Sequence, residues 1–237
     1  MGYALRQSTF TLDDFLAWED TQPERHEYLH GETFAMVGAR RVHNLVAGNL
    51  YVALRQHLRG TPCAAFMETM KLRVADDALF YPDVFVTCDR QDLRTEREFS
   101  APTLIAEVLS PSTEGYDRGQ KFTQYRRLAS LREYLLISPE TREVLLFRRE
   151  SAQGLFTLHD FSEAQTLECA SIGHSMPVAE LFEGLDLPLE VAPNTATAPE
   201  TTPESTPENT AEPAPAAAAA VTAAADASVR GAARPGA

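Results

Sequence analysis

Two short apolar runs, Phe80-Tyr81-Pro82-Asp83-Val84-Phe85-Val86 and Thr103-Leu104-Ile105-Ala106-Glu107-Val108-Leu109, each carry a single carboxylate. Runs of this length, bounded by turn-forming residues, read as strands covered on both faces. An ionised carboxylate in such a strand costs several kcal/mol unless it is paired or metal-bound. A divalent cation shared by Asp83 and Glu107 is the economical solution. The segment that follows offers Lys121 as a third charged group, on one helical stripe with Phe122, Tyr125 and Leu128. A lysine on the buried side of a helix needs a partner of opposite charge.

The elements that must position these groups can be traced along the chain. Thr11 followed by Leu12-Asp13-Asp14-Phe15 marks a helix start, and Pro23 closes that helix. Arg25 to Val37 reads as a hairpin turning at His30-Gly31. Its acids Glu27 and Glu32 are rivals for a place near the site. Val42, Leu45, Val46, Leu50, Ala53, Leu54 and Leu58 recur at helical spacing and predict one long amphipathic helix, ended by Gly60 and Pro62. His43, at its start, could reach a phosphate or donate to a carboxylate, although a lone histidine there is more often structural. Strands are expected near 64–74, 80–88 and 103–110, with a charged connection from Asp89 to Ser100. A helix from about Asp117 to Ala129 follows, with Ser110, Ser112 and Thr113 available to cap it. Further strands near 133–138, 143–149 and 155–161 and a short helix at 178–183 complete the pattern. Crossover helices are absent between most of these strands, so a mixed α/β fold with a curved central sheet flanked by helices fits better than a doubly wound parallel one.

The chain has 237 residues and a formal net charge of −13. Residues 191–237 contain no Leu, Ile, Phe, Tyr or Trp, repeat a Thr/Ala-Pro-Glu unit and then become almost pure alanine. A disordered tail is expected there, and one domain over 1–190. In the tail Arg230 and Arg234 stand against four glutamates and Asp226, leaving −10 on 1–190. That balance argues against tight non-specific nucleic-acid binding, while a local basic groove remains compatible with it. Cys63, Cys88 and Cys169 suggest neither a zinc pattern nor a disulfide framework, and Cys88 reads as a small core residue in a reducing compartment. The first residues carry no apolar signal region, and no run is long enough to span a bilayer. The expectation is a cytoplasmic protein without a membrane partner.

Five blocks in order, Arg25-His26-Glu27-Tyr28-Leu29-His30-Gly31-Glu32, Tyr81-Pro82-Asp83-Val84, Glu107-Val108-Leu109-Ser110-Pro111-Ser112-Thr113, Asp117-Arg118-Gly119-Gln120-Lys121 and Arg132-Glu133-Tyr134-Leu135-Leu136, resemble the Uma2 family, also called DUF820, of restriction-type endonucleases. The likeness spans about residues 10–185. Through it the chain is similar to the PD-(D/E)xK nuclease superfamily and its restriction-endonuclease-like core. The resemblance implies hydrolysis of DNA phosphodiester bonds, with Asp83 and Glu107 binding Mg2+ (Mn2+ as a substitute) and Lys121 assisting the attacking water; the chemistry adds the Val108 carbonyl as a candidate third ligand and Glu27, with Glu32 as its rival, as a candidate further acid. The commonest superfamily pattern places the lysine two residues after the second acid, where this chain has Leu109; the resemblance implies that Lys121 replaces it from the next helix. Cutting both strands of a duplex would call for a homodimer. The alternative is a catalytically silent module of the same fold that binds nucleic acid or protein.

Overall fold

The computed structural model describes residues 10–36, 38 and 40–186. The tail expected over 191–237 lies outside the described residues. Helix α1 (Leu12–Glu19) opens on a capping box: the Thr11 hydroxyl accepts from the Asp14 N–H at 3.1 Å, and the Asp14 carboxylate accepts from the Thr11 N–H at 3.0 Å. Strands β1 (His26–Leu29) and β2 (Glu32–Ala35) form the expected hairpin. His30 and Gly31 at its tip have φ of 52° and 92°, the two positive values a two-residue I′ turn requires. Helix α2 (Arg41–His57) buries Val46, Ala47, Leu50 and Leu54, one stripe of the predicted pattern.

The region expected as three strands contains six. They are β3 (Ala64–Met67), β4 (Lys71–Ala75), β5 (Ala78–Phe80), β6 (Val84–Thr87), β7 (Glu98–Phe99) and β8 (Pro102–Val108). Both unexpected breaks are places where the chain changes sheet. One lies at Glu68, whose φ of 51° cannot continue a strand. The other lies at Tyr81-Pro82-Asp83, where Pro82 has no N–H for the ladder. The two breaks lie side by side, because the Glu68 N–H donates to the Asp83 carbonyl at 3.0 Å. The charged connection after β6 is also more structured than expected. It contains a 3-10 turn (Asp92–Arg94), and the buried Asp92 carboxylate accepts from the N–H groups of Ser100 and Ala101, each at 2.9 Å.

Beyond β8 come α3 (Glu114–Tyr116), a π-helical turn (Asp117–Lys121) and α4 (Phe122–Tyr125). The helix predicted to reach Ala129 therefore begins earlier, carries a wide turn and ends sooner. Past Tyr125 the chain winds inward, and Arg149 takes the carbonyls of Arg126, Leu128 and Leu131. The remaining elements are β9 (Glu133–Ser138), β10 (Glu143–Arg148), β11 (Thr157–Ser162), β12 (Thr166–Cys169), β13 (His174–Pro177) and α5 (Val178–Leu181).

The fold is mixed α/β, as expected, with its strands divided among sheets. A five-stranded sheet has the order β2-β1-β5-β4-β7, a six-stranded sheet the order β11-β10-β9-β8-β6-β3, and β12 pairs with β13. Within the larger sheet β8 and β9 are parallel and the other pairs antiparallel. Its central strands are covered on both faces. Val84, Val86, Leu104, Ala106 and Val108 pack with the α2 stripe, while Phe85, Ile105, Leu109 and Tyr134 pack with Tyr125, Leu128 and Leu131.

Cys63 and Cys88 correct the expectation drawn from the cysteines: they are joined by a disulfide, and only Cys169 is a free, buried thiol among the described residues. The register Ala64↔Thr87 makes Cys63 and Cys88 the next facing pair of β3 and β6, a juxtaposition that 25 residues of intervening sequence conceal. Among the described residues no helix is long and apolar enough to cross a membrane.

Candidate active site

The register Val84↔Ala106 places Asp83 opposite Glu107, at the end of β6 where the ladder stops. Asp83 donates its N–H to Glu107 Oε2 at 3.3 Å, and its own Oδ2 accepts from the Val108 N–H at 2.7 Å. Glu107 lies on the same face of β8 as Ile105 and Leu109, toward α4, and is 2% exposed. From that side Lys121 Nζ reaches Glu107 Oε1 at 3.2 Å and the Tyr125 hydroxyl donates to the same oxygen at 2.8 Å. The lysine is itself buried and also contacts Glu27 at 2.9 Å and Asp117 at 3.6 Å.

Each group is placed by its element. Glu27 sits on β1, whose pairing with β5 turns it inward to accept from the Tyr81 N–H at 3.3 Å. Its rival Glu32, on β2, is exposed. Asp117 and Lys121 bound the π turn, a rare insertion into helical structure that recurs at functional sites. His43, in the first turn of α2, brings Nε2 to 3.0 Å from Asp83 Oδ2. Ser110 caps the start of the helical segment, its hydroxyl accepting from the Thr113 N–H at 3.3 Å.

The structure brings Asp83, Glu107 and Lys121, singled out from sequence, into one cluster, and of the rivals Glu27 and Glu32 it is Glu27 that joins them. Asp117 and Tyr125 were missed as members of it. Asp117 enters the sequence reading as the start of the expected helix, and it is buried with Lys121. Tyr125 reads as one apolar residue of the helix stripe, and only its hydroxyl reveals the second role.

The electrostatics of the cluster are one-sided. Burial raises the carboxyl groups of Glu107, Glu27 and Asp117, that of Glu107 well above its ordinary range, and Lys121 offsets this only in part. Burial alone would lower Lys121, but Glu107, Glu27 and Asp117 around it hold it well above its ordinary value. His43 follows the same pattern: burial pulls it down, and Asp83 outweighs this and raises it. The acids outnumber the bases that meet them. Glu27, Asp83, Glu107 and Asp117 face one lysine and one histidine.

Such a site suits a hard cation with oxygen donors. Among the described residues no three Asp, Glu, His or Cys side chains converge on one metal position. Protein ligands would be few: Asp83, Glu107 and the Val108 carbonyl, which lies on the same strand edge as the Val108 N–H that Asp83 accepts. Mg2+ tolerates this, since it keeps several waters and is held by one or two carboxylates.

Comparison with known proteins gives a consistent picture. Residues 12–190 match the family model of Uma2, described as "Putative restriction endonuclease". The chain is 35% identical over 174 residues to the uncharacterized protein slr1290 of Synechocystis sp., covering 73% of this chain and 91% of that protein. It is 35% identical over 130 residues to the uncharacterized protein sll1609 of the same organism, covering 54% and 73%. The crystal structure of "a putative nuclease belonging to DUF820" from Anabaena variabilis shares the fold, with a TM-score of 0.60 at 19% identity over 73% of this chain and 97% of that one.

Proposed function

Since this chain belongs to the Uma2 family, we propose that it is a metal-dependent endonuclease that hydrolyses DNA phosphodiester bonds at the Asp83, Glu107 and Lys121 cluster. The observation that carries this is the meeting of two strand-end carboxylates and a buried lysine, 3.2 Å from Glu107, in a cluster with more acid than base. Asp83, Glu107 and the Val108 carbonyl would hold Mg2+ or Mn2+. When bound, the cation supplies a hydroxide nucleophile near neutral pH and neutralises charge on the phosphate. Lys121 meets Glu27, Glu107 and Asp117, which favour its charged form. Its role is to orient the attacking water and offset negative charge that develops at the phosphate. Glu27, 2.9 Å from Nζ, helps to fix that lysine.

The test is cleavage of supercoiled plasmid by the full chain with Mg2+ or Mn2+, beside Asp83→Ala and Lys121→Ala. Wild-type protein should nick or linearise the plasmid, and each variant should be slower by about 100-fold or more, the scale of losing one charge-stabilising group. Equal cleavage by all three, or none with any metal and any nucleic acid, would defeat the proposal. The net charge of −13 is the observation that favours a silent binding module; binding without cleavage in the same assay would select that alternative.

A further inference from the structure

The two strand-end carboxylates are held in the same manner from opposite sides of the sheet. Asp83 Oδ2 is contacted by the Val108 N–H at 2.7 Å and His43 Nε2 at 3.0 Å, and among the described residues nothing donates to Oδ1. Glu107 Oε1 accepts from Lys121 Nζ at 3.2 Å and the Tyr125 hydroxyl at 2.8 Å, leaving Oε2 with a single long backbone bond at 3.3 Å. In each carboxylate one oxygen is clamped by two donors and the other is free or nearly so.

The two non-lysine side chains responsible have no other work. Among the described residues His43 Nδ1 is buried without a partner, and the ring's one polar contact is the one to Asp83. The imidazole that meets Asp83 through Nε2 leaves Nδ1 bare, a cost in free energy that the contact to Asp83 offsets. Tyr125 is fully buried in the apolar layer beneath β8, edge-on to Phe80, and its hydroxyl is the polar tip of an otherwise hydrophobic side chain. Phenylalanine would fill that space. The hydroxyl is explained by Glu107 alone.

We infer that His43, from α2, and Tyr125, from α4, are positioning residues that each pin one oxygen of a strand-end carboxylate, so that Asp83 and Glu107 present one oxygen apiece to a divalent cation. This rests on the proposed metal site and deepens it. One-oxygen ligation leaves coordination positions for water and phosphate oxygens, which an octahedral ion with few protein ligands requires. Donors behind metal-binding carboxylates fix orientation, and their loss costs about 10- to 100-fold in metal affinity.

The experiment is calorimetric titration of Mn2+, and then Mg2+, into the full chain, comparing wild type with Asp83→Ala, His43→Ala, His43→Gln and Tyr125→Phe. Thermal unfolding in EDTA reports each variant's metal-free stability. Expected are binding by wild type, none by Asp83→Ala, and dissociation constants about 10- to 100-fold weaker for His43→Ala and Tyr125→Phe. His43→Gln should stay within about threefold of wild type, because its side-chain amide can donate to Asp83 from nearly the position of Nε2. If Asp83→Ala abolishes binding while His43→Ala and Tyr125→Phe bind as wild type does, the positioning role is overturned and the metal site stands. It is overturned equally if His43→Gln is as weak as His43→Ala. If wild type binds no cation, or Asp83→Ala binds as well as wild type, the metal site fails and this inference with it. Tyr125→Phe removes one oxygen atom and no packing volume, so it decides the matter even if His43→Ala proves unstable.

Discussion

Among the described residues Lys121 is the one cation in contact with Glu27, Glu107 and Asp117, and all four groups are buried. Its removal therefore has a structural consequence separate from activity. Breaking a buried ion cluster by deleting one partner leaves uncompensated charge and costs about 3–5 kcal/mol. Lys121→Ala should show this in urea unfolding at pH 7 without metal. The double variant Lys121→Ala/Glu107→Gln should lose less than the sum of the two single changes, because neutralising Glu107 removes part of the orphaned charge. Strict additivity would mean that the two residues do not interact. Asp83, Glu107 and Lys121 were legible in the sequence because a charge in an apolar run, or on an apolar stripe, is an energetic anomaly visible without coordinates. Glu27 was not separable from Glu32, since a hairpin alone does not say which face is covered; that is decided by β1 pairing with β5. Tyr125 was hidden for another reason: an aromatic residue satisfies the core pattern whether or not its hydroxyl is used.

At the scale of elements, the disulfide between Cys63 and Cys88 ties β3, an edge strand, to β6, the strand that leads out of Asp83. Closing a loop of this length stabilises a fold by about 3 kcal/mol. Cys63→Ser/Cys88→Ser should be destabilised by about that amount in urea unfolding under non-reducing conditions. A reducing agent should bring wild type to the same midpoint and leave the double variant unchanged. No shift of wild type on reduction would show that the bond does not form in solution. The element order was readable from periodicity and turn signals, from the His30-Gly31 hairpin to the long α2 stripe. The sheet changes at Glu68 and at Tyr81-Pro82-Asp83 were not, because an apolar run interrupted by one proline is compatible with a single edge strand as well as with two strands in different sheets.

For the whole molecule, stability should vary with pH in part through the seam where α2 meets the β12–β13 hairpin. Burial, and the His57 ring 4.7 Å away, hold His174 below its ordinary value of 6.5, and among the described residues its buried Nε2 has no partner. A histidine lowered on folding takes up its proton more readily in the unfolded chain. Its contribution is therefore fully present above about 6.5 and is lost as pH falls from there through the folded value. His174→Phe should flatten this part of the profile, read as the difference between variant and wild-type melting temperatures between pH 8 and 5. An unchanged difference across that range would remove His174 from the account. The fold class was legible at this scale, since strand-rich sequence without crossover helices excludes a doubly wound sheet. The division into five- and six-stranded sheets was not, as it depends on pairings between segments far apart in the chain.

The wide turn from Asp117 to Lys121 holds one residue more than an α-helical turn would. In a gene that residue is one codon. Its deletion would rotate the segments on either side of the turn against each other by about 100°. Tyr125 and Leu128 anchor the downstream side in the core, and on the upstream side Tyr134 donates to the Asp117 carbonyl at 3.0 Å, so the shortened turn could not keep both Asp117 and Lys121 in the cluster. A lineage could thus retune or silence this centre by a single in-frame deletion that touches neither Asp83 nor Glu107. The same edit would alter the charge balance around the lysine without any side chain there being substituted.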